Sequence, residues 1–86
     1  MSSGCRVWWF LSFADLTVPE YLNRWRGVAI VYARGEDDAR RAARRLGAEE
    51  TWTVKAQQLE TNCPSVTWRN RLIKDRAEAE IIAERV

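Results

Sequence analysis

The chain has no histidine, two cysteines, two prolines and four glycines among its 86 residues, and only Lys55 and Lys74 of its fourteen basic residues are lysine. Without histidine no Ser-His-Asp or Cys-His pair can form. With no histidine and no CxxC spacing, a zinc site lacks its usual donors. The glycines, at positions 4, 27, 35 and 47, are too scattered for a dinucleotide fingerprint or a Walker loop. No apolar run approaches the roughly 18 residues a membrane span needs. The start, Met-Ser-Ser-Gly-Cys-Arg before an apolar stretch at 7–13, carries no signal-peptide cleavage pattern. The expectation from these absences is a cytoplasmic, non-enzymatic protein with no metal and no cofactor. Cys5 and Cys63 are expected to be two free thiols rather than a disulfide, and neither has a visible activating neighbour.

What is present describes one small domain. A chain this short buries only about 60–65% of its unfolded surface, so each large side chain matters. Five tryptophans supply much of the available area, and an exposed one would be a stacking surface. Net charge is +2, too balanced to imply nucleic acid by itself. Twelve arginines with eleven alanines point to a GC-rich coding genome. Arginine also offers the planar, bidentate recognition of phosphate that lysine lacks.

Residues 7–13 (VWWFLSF) and 28–33 (VAIVYA) read as strands, apolar on both faces, with Gly27 marking a bulge. The second strand is the expected central one, and its start extends back toward Trp25. Between them lies a long connection, 14–24. Residues 36–46 form the clearest helix: Ala39, Ala42, Ala43 and Leu46 make one stripe, acids occupy the first turn, and Gly47 follows as the C′ residue. Glu36–Arg40 and Asp37–Arg41 are its expected ion pairs. Residues 51–56 read as an edge strand with Trp52, Val54 and Ala56 inward. Residues 57–73 are mixed. Residues 75–85 form a second helix, with Asp75 and Glu78 spaced like a capping box and a stripe of Ala79, Ile82, Ala83 and Val86 widened by Ile81.

The order β-β-α-β-α predicts a small α/β (α+β) domain: a three-stranded mixed sheet packed with two helices. The first two strands pair antiparallel, and the helix carries a right-handed crossover to a parallel third strand. Two short helices leave an apolar sheet face around Trp8 and Phe10, which predicts a homo-oligomer.

Two segments combine an aromatic ring, guanidinium groups and an amide: Asn23-Arg24-Trp25-Arg26 and Trp68-Arg69-Asn70-Arg71. Each can stack on a base and hold phosphate. Together with Asp15 they form the candidate ligand site, and the competing reading is that both tryptophans are core or rim residues. Arg40, Arg41, Arg44 and Arg45 make a basic helix face, suited to an acidic partner or simply to water. Paired carboxylates such as Asp15 with Glu20 carry no catalytic signal.

The segments WWFLSFAD, WRGVAIVYA, DDARRAARRLGAEE and NRLIKDRAEAE resemble a loose group of small proteins from phages and GC-rich bacteria. That group is typified by a WLSFxD strand, a GVAIV strand and a C-terminal NRLL–EEAE segment. The chain departs from it at 48–52, where such proteins carry an NPGGEV-like turn. The resemblance implies a phage accessory protein and nothing catalytic.

The expected function is a non-enzymatic binding protein: a phage-encoded counter-defence protein that sequesters a nucleotide-type signalling molecule. The alternative is a protein-binding inhibitor or adaptor, acting on a host protein through an exposed apolar sheet face or the Arg face of the first helix. Membranes and nucleic acid are not expected partners.

Overall fold

The computed structural model describes residues 6–59 and 66–85. Both cysteines and Val86 lie outside them, so the thiol assignment and the last residue of the second helical stripe are not addressed by the structure.

Val7–Asp15 (β1) and Trp25–Ala33 (β2) pair antiparallel, with Val7 opposite Ala33 and Phe13 opposite Gly27. Both are built from β-branched and aromatic residues that suit a covered pleat. Glu36–Leu46 (α1) follows, then Trp52–Gln58 (β3), a 3-10 turn at Val66–Trp68, the two-residue strand Leu72–Ile73 (β4), and Arg76–Arg85 (α2).

The sheet has four strands in the order β3-β1-β2-β4, and every ladder is antiparallel. This corrects the three-stranded mixed sheet expected from the sequence. The crossover through α1 does bring β3 back in the same direction as β2. However, β3 docks beside β1, with Leu11 opposite Ala56, so β1 separates the two co-directional strands. A strand apolar on both faces gains most from an interior place, and the half-wet β3 takes the edge. β4 is too short for any alternation to reveal it. It pairs with β2 through Val28–Ile73 and Ala29–Leu72.

The helices cover opposite faces. On one, Leu11, Phe13, Ala29, Val31 and Val54 pack with Ala39 and Ala43 of α1. On the other, Val28, Ile30 and Ile73 pack with Trp68 and with Ala79 and Ile82 of α2. Trp8 and Phe10 adjoin this second cluster and are half-buried rather than bare. The α2 stripe is narrower than expected: Ile81 and Ala83 are exposed. A ten-residue helix that packs mainly on β2 and β4 needs no wider seam.

The expected local devices are largely in place. Gly27 has φ +141°, and a Cβ there would lie 2.8 Å from the Ile73 carbonyl oxygen, so the register shift between Phe13 and Ala14 and the close approach of β4 both require glycine. Gly47 closes α1 in the left-handed conformation, its N–H reaching the last carbonyls. Asp75 caps α2, accepting the Ala77 N–H at 2.9 Å. Arg40 pairs with Glu36 at 2.6 Å, whereas Arg41 meets Asp38 at 3.9 Å instead of Asp37. No helix among the described residues is long and apolar enough to cross a membrane.

Candidate functional site

The two Trp-bearing segments sit on the same face of the sheet, at different heights. Trp25 is opposite Ala14 at the start of β2, while Arg69 bridges to Ile30, five residues further along, about 16 Å by strand rise. The intervening surface is filled by Val28, Ile30 and Ile73. The two segments therefore flank one apolar cluster rather than close on one cleft.

Within the first segment the polar groups bind the chain itself. Asn23 Oδ1 accepts the Trp25 N–H at 3.1 Å. Arg24 Nε donates to the Val18 carbonyl at 2.6 Å. Arg26 donates to the carbonyls of Asn23 and Trp25 and lies 4.0 Å from Asp15. Asp15 in turn accepts from the Thr17 hydroxyl at 2.6 Å and from the Thr17 N–H at 3.0 Å. These two bonds, aided by the Arg26 charge and opposed by partial desolvation, hold its carboxyl below the ordinary aspartate range. The long β1–β2 connection is thus braced by its own charged residues. Its tip presents Leu16, Tyr21 and Leu22 to solvent.

In the second segment Trp68 is only 8% exposed, with its ring in the core. Arg69 spreads over the Trp8 ring at 5.2 Å from the centroid. Asn70 adopts φ 54° and donates its N–H to the Ile30 carbonyl at 2.7 Å. Arg71 donates to the Thr67 carbonyl at 3.0 Å. Trp25, half-buried, is faced by Arg76 at 5.1 Å. None of the five tryptophans is exposed; Trp8, Trp9 and Trp25 are half-buried and Trp52 and Trp68 buried. No tryptophan therefore presents a fully exposed ring, and the open parts of Trp8, Trp9 and Trp25 are partial faces.

A different constellation gathers cationic groups around one carboxylate. The β1–β2 register that sets Val7 opposite Ala33 brings Arg6 and Arg34 side by side where the ladder ends. Both, with Arg41, line a groove of about 530 Å³ at the N-terminal end of α1, together with Gly35, Asp37 and Asp38. Gly35 is the N-cap and supplies no side-chain acceptor for the first helical N–H groups, which belong to this end of α1. Asp38 accepts the Arg34 N–H at 3.2 Å. This bond, with the charges of Arg41, Arg6 and Arg34 and against some desolvation, lowers its pKa and keeps it ionised. Among the described residues the guanidinium groups of Arg6 and Arg34 make no hydrogen bond or ion pair. Sequence reasoning missed them because they stand alone, 28 positions apart; the hairpin register was the signal that joins them.

No protein-family model, curated protein or solved structure is matched by this chain.

Proposed function

We propose that this protein is a non-enzymatic binding protein that sequesters a small phosphorylated ligand of the nucleotide type, and that it acts in the cytoplasm as a phage-encoded counter-defence protein. The observation that carries the reading is the placement of Arg6 and Arg34 next to each other at the glycine-capped start of α1. Like charges held side by side repel, and an anion between them relieves that repulsion. The helix N-terminus adds backbone donors and a favourable dipole, and guanidinium groups match phosphate oxygens bidentately. Asp37 and Asp38 temper the groove's charge, which favours a ligand of low net charge. The resemblance to small phage proteins motivates the counter-defence role. The ligand is assigned to this groove rather than to Asp15 and the Trp-bearing segments, whose guanidinium groups already have carbonyl or aromatic partners.

Titration calorimetry against mono-, di- and cyclic nucleotides tests the proposal. The expected result is binding tighter than about 1 mM. Arg34→Glu should weaken it about tenfold or more, as loss of a charge-assisted contact does, while Arg71→Glu leaves it unchanged. No binding by any member of that panel removes the reading.

A second reading, a protein-binding inhibitor or adaptor, is favoured by the outer face of α1, where Arg41 and Arg45 are exposed. A stoichiometric host-protein complex lost on changing Arg41, Arg44 and Arg45 to Glu supports it.

A further inference from the structure

β3 is an edge strand of seven residues, hydrogen-bonded among the described residues on one side only. The Leu59 N–H donates to the Trp8 carbonyl at 2.9 Å. By antiparallel alternation, Gln57, Lys55 and Thr53 turn their backbone groups toward β1, while Gln58, Ala56 and Val54 turn theirs outward. A groove of about 540 Å³ lies beside this edge. Val54, Ala56, Glu36 and Arg40 line it from the α1 side, and Lys55 and Gln57, with their β1 neighbours Ser12 and Phe10, line the rest. Protein edges of this length are ordinarily blunted by proline, bulges or several charges. β3 carries one charge, Lys55, and no proline.

We infer that this edge is the seam of a homodimer, in which β3 pairs antiparallel with β3 of a second copy about a two-fold axis at Ala56. The self-pairing registers are not equivalent. Centring on Lys55 opposes two like charges. Centring on Ala56 sets Lys55 opposite the partner's Gln57 and Val54 opposite the partner's Gln58, with the smallest side chain of the strand on the axis. That register uses the outward backbone groups of β3 and joins two four-stranded sheets into one. The two-fold places both α1 helices on the same side of the joined sheet. Each brings the Glu36–Arg40 ion pair to the groove, so neither surface carries an excess charge to repel its copy, and the pairs can exchange partners across the two-fold. An unrelated acidic or basic strand would meet no such match. The dimer does not depend on the anion reading, since Arg6, Arg34 and Arg41 do not line this groove.

Sedimentation equilibrium of the full chain over a range of concentrations tests the seam, with variants at exposed positions chosen to move it in opposite directions. Gln57→Glu opposes each Lys55 with a carboxylate and should tighten the dimer about tenfold. Gln57→Lys opposes it with a like charge and should loosen the dimer by a similar factor, there being two such pairs per dimer. Gln58→Pro removes an outward N–H without touching the ladder to β1, and should give a folded monomer by circular dichroism. A wild-type monomer at every concentration overturns the inference and leaves the edge to a strand of another protein or to water. A dimer equally stable in Gln57→Glu and Gln57→Lys overturns it too, and moves the interface elsewhere, with the half-buried Trp8–Phe10 surface next in line.

Discussion

The guanidinium of Arg69 lies over the Trp8 indole, 5.2 Å from the ring centroid, with its Nε buried and without a hydrogen-bond partner among the described residues. Trp8 is in turn packed against Tyr32 at 4.9 Å. Arg69 therefore works as a cover for an aromatic pair. Its long stem and flat head shield part of the Trp8 ring from water.

That role separates two substitutions. Arg69→Ala loses both the stem packing and the cation–π contact, and should cost about 1–2 kcal/mol. Arg69→Met keeps apolar contact with the indole and removes the unsatisfied donor. Its expected cost is under about 1 kcal/mol, because deleting a buried unpaired polar group offsets the lost electrostatic attraction. Urea denaturation of the two variants decides this. Equal destabilisation by both would mean that the charge, and not the cover, is what matters.

Gly27 is the most constrained backbone position in the sheet. Its φ of +141° excludes side chains on conformational grounds, and a Cβ would meet the Ile73 carbonyl at 2.8 Å, a backbone atom that cannot swing aside. Gly27→Ala should destabilise by about 2–3 kcal/mol and lower Tm by roughly 10–20 °C. Gly35→Ala meets nothing within 4 Å and has no positive φ, so it should change Tm little. Calorimetric melting of the two variants measures the contrast.

Acid should weaken the fold through Asp15 and Asp38. Both have folded-state pKa values lowered from the usual 3.8, Asp15 chiefly by the Thr17 hydroxyl and Asp38 chiefly by the Arg34 N–H. A depressed carboxyl contributes stability that is fully present above its unfolded pKa and is lost as pH falls through its folded pKa. Their contribution is therefore constant at neutral pH and declines below about pH 4. Thermal melts taken down through that range should show a shallower loss in Asp15→Asn and Asp38→Asn than in the unaltered protein. An unchanged slope in both would show that neither carboxylate is stabilised on folding.

How much of this was legible in advance follows from the range of each interaction. The α1 helix could be read to the residue because its determinants are local: an alanine stripe of period 3.6, acids in the first turn, arginines in the last and glycine at C′. The bulge at Gly27 and the cap at Asp75 are equally local. β4 was not legible, since two residues carry no period, and its position depends on an approach to Gly27 that only the folded chain displays. The Trp-bearing segments were conspicuous as strings, yet composition does not show where a ring or a guanidinium points. Trp68 turned inward because the face under α2 needed filling, and Arg24, Arg26 and Arg71 turned back on nearby carbonyls.

By itself the sequence determined the three longer strands, the two helices with their ends, and the α+β class, because periodicity and capping act over a few residues. The tertiary structure alone decided that β1 lies between β2 and β3, that the helices take opposite faces, that Arg6 and Arg34 line one groove, and that β3 lies at the edge of the sheet. Those outcomes depend on pairing residues far apart in the chain, where the burial of two-faced strands outweighs any preference written in a single segment.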